Sequence, residues 1–252
     1  MIVALMIGRE GSLGFPRKNI YPILGRPLMV YPLLAANKAK SVDSVYISTD
    51  SKKIKEIGLK YGAKIIDRPP ELCTPEALGE DAFVHGYNYI KKVLSKKGKE
   101  IELMVLLLCN AATILPETID NGVENLRKNL EFDSAVTVSR YNMWSPLRAR
   151  RIGDDGLLHP FVPFETFGDP KTLNCDRDSQ GDVWFADMGA SIVRPYCLEN
   201  IDQGLQPQKW MGQRIYPLTQ EGGLDVDYEW QVPRVEYWLR RQGYTEERIH
   251  QR

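Results

Sequence analysis

Two short stretches hold most of the side chains able to do chemistry. The first is Gly8-Arg9-Glu10-Gly11-Ser12-Leu13-Gly14-Phe15-Pro16-Arg17-Lys18-Asn19, directly after the apolar run Ile2-Val3-Ala4-Leu5-Met6-Ile7. Glycines let backbone N–H groups approach phosphate oxygens without a Cβ in the way, and Arg9, Arg17 and Lys18 can neutralise the phosphate charge. The run is not a P-loop, because no Gly-Lys-Ser/Thr closes it, and it lacks the spacing of the dinucleotide fingerprint. Taken alone it also reads as a glycine turn with exposed cations. The second stretch is Gly223-Leu224-Asp225-Val226-Asp227. In an extended segment, aspartates two apart share a face and suit a hard cation such as Mg²⁺, while the same pair can also cap a following helix.

These residues need a scaffold, and the sequence supplies the pattern of one. Ile2 to Ile7 reads as a strand. Pro27 stands where a helix would open, and Leu28 to Lys40 carries apolar residues at helical spacing, with Pro32 tolerated only in an early turn. Ser44 to Ser48 is β-branched and aromatic, Asp50 is placed to cap the next helix, and Ile54, Ile57 and Tyr61 share a face until Gly62. Lys64 to Asp67 reads as a short strand, Arg68-Pro69-Pro70-Glu71-Leu72 as a stiff loop, and Ala82 to Leu94 as a helix. Ile101 to Leu108 is almost wholly apolar, as a central strand covered on both faces requires. Pro116 opens a helix through Ile119, Val123 and Leu126, Ser134 to Ser139 and Gly189 to Val193 are strands, and Glu229 to Arg241 is the last helix. This order predicts a doubly wound α/β fold whose glycine loop, Asp50, Arg68 and Cys109 loop open onto one sheet edge. From about 140 to 183 the alternation breaks down among aromatics and prolines, which reads as an inserted lobe within a single domain spanning 1–252.

Composition narrows the partners. The chain has 252 residues, with 33 Lys and Arg balancing 33 Asp and Glu. No net field draws it to nucleic acid or an anionic membrane. No apolar run is long enough to span a bilayer, and the first residues lack the features of a signal peptide, so a cytoplasmic protein is expected. Cys73, Cys109, Cys175 and Cys197 are widely spaced without a Cys-x-x-Cys, which fits reduced thiols better than a zinc site. His85, His159 and His250 lack the partners of a hydrolase triad, and Cys109 has no nearby His to make it a nucleophile. Trp144, Phe161, Phe164, Phe167, Trp184 and Phe185 are expected to serve core or dimer packing.

The residues from Gly8 to Asn19 resemble the loop of the acylneuraminate cytidylyltransferases, which are similar to CMP-Kdo synthetases. Ile47-Ser48-Thr49-Asp50, Arg68-Pro69-Pro70-Glu71-Leu72, Asp133-Ser134-Ala135-Val136, Met188-Gly189-Ala190-Ser191 and Leu224-Asp225-Val226-Asp227 follow in the same order. The resemblance implies a Rossmann-like, mostly parallel sheet that binds CTP, with the insertion as a dimerisation lobe over the partner's site. It implies that Arg9 and Lys18 hold the triphosphate, together with Gly8, Gly11 and Ser12. Asn19 would meet the ribose or a phosphate, Arg68, Ala77 and Gly79 the cytosine edge, and Asp225 and Asp227 would carry Mg²⁺. The acceptor hydroxyl would attack the α-phosphorus and release pyrophosphate, chemistry that depends on charge and positioning.

The chain departs from the family at two places that concern the acceptor. A Pro-Thr-Ser-Pro-Leu-Arg motif usual after the central strand is replaced by Cys109-Asn110-Ala111-Ala112-Thr113-Ile114-Leu115. An Arg and an Asn usual before the Gly-Ala strand are replaced within Phe185-Ala186-Asp187-Met188-Gly189. Arg177 and Gln180 are then the expected acceptor-binding residues, with Arg148, Arg150 and Arg151 as further cations. The acceptor is expected to be a small anion: sialic, legionaminic or pseudaminic acid first, a Kdo-type sugar or phosphonate second. A non-catalytic nucleotide-binding protein of the same fold is the remaining alternative.

Overall fold

The protein is described by a computed structural model over residues 1–11 and 14–247; Ser12 and His250 lie outside the described residues. In chain order the elements are β1 (Ile2–Ile7), β2 (Pro22–Ile23), β3 (Arg26–Pro27), α1 (Val30–Lys38), β4 (Ser44–Thr49), α2 (Lys52–Lys60), β5 (Lys64–Asp67), α3 (Gly79–Ser95), β6 (Leu103–Leu108), α4 (Pro116–Lys128) and β7 (Ser134–Arg140). They continue with β8 (Arg150–Ile152), β9 (Leu158–Pro160), β10 (Trp184–Val193), α5 (Pro195–Glu199), β11 (Ile215–Gln220) and α6 (Val232–Arg241).

Seven strands form one sheet in the order β11-β7-β10-β6-β1-β4-β5. β1 runs parallel to β4 and β6, β4 to β5, and β7 to β11, while β10 is antiparallel to both β6 and β7. The apolar strand predicted to lie mid-sheet is β6, the central one. The two-residue period of a strand divides β1 between two cores. Ile2, Ala4 and Met6 pack with residues of α1, α2 and α4, and Val3, Leu5 and Ile7 with residues of α3 and α5. A third cluster joins Phe15, Ile23, Leu28, Tyr31, Val226, Trp238 and Leu239. It ties α6 and the β2–β3 hairpin to both chemistry-bearing stretches.

The expected elements form with local revisions. Pro27 belongs to β3 and the helix starts at Val30, with Pro32 inside its first turn, where its missing N–H costs no helical bond. Asp50 does not cap α2: Ser51 does, its Oγ accepting from Ile54 N at 3.4 Å. β10 begins at Trp184, five residues before the expected Gly189, and shifts register between Ala186 and Ser191, with Met188 at φ 64°. β11 and the two hairpins had no clear alternating pattern in the sequence. Residues 141–183 hold 3₁₀ turns and the separate β8–β9 pair. Four of the six aromatics expected to pack there or nearby, Trp144, Phe161, Trp184 and Phe185, are exposed in the single chain, with Phe161 at 63% and Trp144 at 55%, while Phe164 and Phe167 are half-buried.

Candidate nucleotidyl-transfer site

Every strand that ends at this site points the same way. β1, β4 and β6 deliver the glycine loop, Asp50 and the Cys109 loop at their carboxyl ends, and β11, parallel to β7, delivers residues 221–227 to the same edge. A cleft of about 350 Å³ opens there. Its lining includes Gly8, Arg9, Gly11, Lys18, Asn19, Arg68, Ala77, Gly79, Asn110, Asp225 and Asp227. The described residues named for nucleotide and metal binding in the sequence thus converge on one cavity.

Close packing fixes the glycine loop. A Cβ on Gly8 would lie 2.5 Å from the Sγ of Cys109, and one on Gly14 would lie 2.9 Å from the carbonyl oxygen of Asp227. Both positions admit only glycine without displacement of the neighbour. Cys109 is fully buried and its thiol is pushed up to about 12 by burial, so it acts as a small spacer beneath the loop and not as a nucleophile. Glu10 N donates to Asp50 Oδ1 at 3.0 Å, and Asn19 Nδ2 donates to the Arg9 carbonyl at 3.1 Å. Asp50 and Asn19 therefore hold the loop's shape. The Arg9 guanidinium donates to the carbonyl of Thr74, which ties the loop of Ala77 to the glycine loop.

Arg68 is buried, at 8% exposure, and donates to the Ser48 carbonyl at 2.6 Å and the Ser48 hydroxyl at 3.3 Å. Burial lowers its pKa from the ordinary arginine value. Among the described residues no carboxylate forms an ion pair with it. A buried guanidinium held by a carbonyl retains donors for a ligand's oxygen atoms.

The two aspartates are not helix caps. Gln231 Oε1 accepts from the backbone N–H groups of Asp227 and Tyr228, at 2.7 and 2.8 Å, and so closes the turn before α6. Both carboxylates are left to the cleft. Asp225 Oδ2 accepts from Asn110 Nδ2 at 3.2 Å, and Asp227 pairs with Lys18. Burial, and then the charge of Asp227, raises the Asp225 pKa above the ordinary carboxylate value. Val226 between them is fully buried and anchors the extended geometry.

Two residues that sequence reasoning passed over position this pair. Asn110 donates to Asp225 and to the Val226 carbonyl at 3.0 Å, while Val226 N donates back to the Asn110 carbonyl at 2.9 Å. Asp187, 4% exposed, accepts from Ser139 Oγ at 2.6 Å, Gln220 Nε2 at 2.9 Å and Gly189 N at 3.2 Å. Ser139 Oγ in turn accepts from Gly223 N at 2.9 Å. Both residues stand where the chain departs from the sialate pattern, and that was their only signal. The named acceptor residues lie elsewhere: Arg177 pairs with Asp178 at 2.8 Å on the exposed surface, and neither Arg177 nor Gln180 lines the cleft. Arg148 and Arg150 donate to carbonyls of Cys175, Leu147 and Ala149 and are engaged within the lobe.

Comparison with known proteins bears on this arrangement. The profile described as Cytidylyltransferase matches residues 3–147. The chain belongs to the cytidylyltransferase family. This family member is 34% identical over 243 residues to the CMP-N,N'-diacetyllegionaminic acid synthase of Legionella pneumophila, covering 87% of the chain and 98% of that protein. It is 26% identical over 247 residues to the N-acylneuraminate cytidylyltransferase of Oncorhynchus mykiss, covering 96% of the chain and 51% of that protein. The chain thus spans about half the length of that relative, and 52% of the related Danio rerio protein. In structure it is similar to a CMP:2-keto-3-deoxy-manno-octonic acid synthetase solved with CTP, with TM-score 0.65 and 16% identity over 96% of this chain and 99% of that one. That similarity shows a shared fold over nearly the whole chain, including the part beyond residue 147. Among the described residues of the family member, no helix is long and apolar enough to cross a membrane.

Proposed function

We propose that the protein transfers CMP from CTP to the hydroxyl of a small anionic acceptor, a nonulosonic acid such as sialic, legionaminic or pseudaminic acid, and releases pyrophosphate. The observation that carries this reading is the meeting of Arg9, Lys18 and Arg68 with Asp225 and Asp227 in one cleft. Arg9 and Lys18 answer a triphosphate, Arg68 offers donors to the base, and two carboxylates answer the metal that accompanies the nucleotide. The relatives' acceptors support the choice of acid. Arg9 and Lys18 bind and orient the phosphates, the Gly8 and Gly11 backbone admits them closely, and Arg68, Ala77 and Gly79 face the base.

The donor set fits Mg²⁺. Asp225 and Asp227 open together onto the same cleft, and the Asp225 pKa is raised by burial and then by the charge of Asp227, both of which a divalent cation would offset. Among the described residues no group of three or more His, Cys, Asp or Glu could hold a metal, and Mg²⁺ commonly takes one or two carboxylates with the rest from phosphate and water. When bound it would supply Lewis-acid charge stabilisation. Lys18 pairs with Asp227 in the free protein and must exchange that carboxylate for a phosphate as CTP enters.

The deciding experiment is pyrophosphate release with each common NTP against nonulosonic acids, Kdo and small phosphonates, with Mg²⁺ and then with EDTA. Release that needs CTP, a nonulosonic acid and free Mg²⁺ is expected. Preference for another base or for Kdo revises the substrate, and CTP binding without release under any pairing points to a non-catalytic protein.

The reading includes a homodimer built through residues 140–183. Its support is the apolar surface of the β8–β9 hairpin, where Ile152 is 75% and Leu158 71% exposed. Light scattering is expected to give twice the chain mass, and Leu158→Asp to lower it; a monomeric wild type removes the lobe's role. The four cysteines are unpaired, which supports a reducing cytoplasm.

A further inference from the structure

A second cavity of about 240 Å³ shares Asp225 with the nucleotide cleft. Its walls are aromatic: Tyr141, Trp144, Phe185 and Trp230 all line it. Tyr141 is held in place by its hydroxyl, which donates to the Gly223 carbonyl at 2.7 Å. Arg234, from the first turn of α6, is the sole cation among the described lining residues, and its guanidinium stands 5.8 Å from the centre of the Tyr141 ring. No carboxylate pairs with Arg234 among the described residues, although Arg140, Arg177, Arg214 and Arg241 each have one. Asp187 also borders the cavity, but its oxygens are engaged by Ser139, Gln220 and Gly189.

We infer that this cavity is the acceptor subsite and that Arg234 binds the acceptor's carboxylate. The inference rests on the proposed CMP transfer and adds to it the residue that selects an acid. An acceptor must place its hydroxyl beside Asp225, where the α-phosphate and the metal would meet. An anion held in the same cavity faces the charge of Asp225, so it needs a fixed cation in the cavity wall. Arg234 meets that need, and its guanidinium plane gives two parallel donors to a carboxylate. Flat acylamido groups on a sugar match the aromatic walls. Arg234 thus occupies the role for which the sequence offered Arg177, whose guanidinium is committed to Asp178.

The test is steady-state kinetics at saturating CTP and Mg²⁺ with an active nonulosonic acid and its primary amide, on wild type, Arg234→Ala and Arg234→Lys. Truncation removes a charge-assisted hydrogen bond to the carboxylate, which corresponds to a rise of about 10- to 100-fold in KM for the acid. The KM for CTP is expected to hold. The Lys variant should recover part of the loss. Wild type should prefer acid over amide, and the Ala variant should treat the two nearly alike. A merely structural role would lower turnover on both and keep the preference, so an unchanged acid-to-amide ratio in Arg234→Ala overturns the inference while CMP transfer stands. Absence of CTP-dependent release by wild type with every acid removes the transfer reading and this inference together. CTP binding by calorimetry confirms that each variant is folded.

Discussion

Asp225→Asn is expected to lower CTP-dependent turnover by about 10²- to 10³-fold, the scale on which a single charge-stabilising group acts at a transition state, and yet to stabilise the unliganded protein. The two effects have one cause. Burial and the neighbouring Asp227 raise the Asp225 pKa in the folded state. Between the ordinary carboxylate pKa and that raised value the unfolded chain binds fewer protons than the folded one. Stability therefore falls as pH rises through this window, and the whole penalty is present above the raised pKa. Asparagine keeps an oxygen to accept from Asn110 Nδ2 and carries no charge. The urea midpoint of the variant should rise at pH 7, and the difference from wild type should shrink as pH falls below the ordinary carboxylate range. Retained turnover would remove Asp225 from the site, and a lower midpoint would show that its charge is compensated in the free protein.

The second large effect is on the fold. Asp187→Ala leaves the Ser139 hydroxyl, the Gln220 amide and the Gly189 N–H without their shared acceptor. The Ser139 hydroxyl can still donate to the Gln220 carbonyl at 3.1 Å, which leaves the Gly189 N–H and one Gln220 amide hydrogen unmet; at about 1–3 kcal/mol for each unmet buried donor a loss of about 2 kcal/mol or more is expected, read as a lower urea midpoint at unchanged m-value. Turnover should fall as well, because Ser139 Oγ holds Gly223 N and Gln220 Nε2 also donates to the Thr113 carbonyl at 2.9 Å. Thr113 Oγ1 in turn bonds both the N–H and the carbonyl of Leu224, the residue before Asp225. Asp187→Asn retains one acceptor and should lose less. A variant with wild-type midpoint and turnover would show that water replaces the carboxylate.

Much of this arrangement can be read from the chain because it is local. The βα alternation, the central run at β6 and the strand before the glycine loop depend on period and propensity within a few residues, and each forms close to where it is expected. Arg9 and Lys18, the cations proposed to bind phosphate, sit within one loop, where spacing alone brings them together. What escaped involved partners distant in sequence. β11 pairs with β7 across the inserted segment, its place fixed by a register that no local pattern announces. Asp50 has the sequence signature of a cap, yet an adjacent serine caps the helix and Asp50 turns to Glu10, forty residues earlier.

The sequence by itself determined the chemistry available: a glycine loop with cations, a paired-aspartate segment and a doubly wound order that sends both to one sheet edge. Only the tertiary structure decided how that chemistry is held and what stands beside it. Asn110 reaches Asp225 across 115 positions, and Asp187 reaches Ser139 across 48. Arg234 meets Tyr141 because α6 packs back over the sheet edge. Hydrophobic periodicity records which face of an element is buried but not which distant element covers it. A charge selected by that packing, as Arg234 is, therefore leaves no mark on its own neighbourhood in the chain.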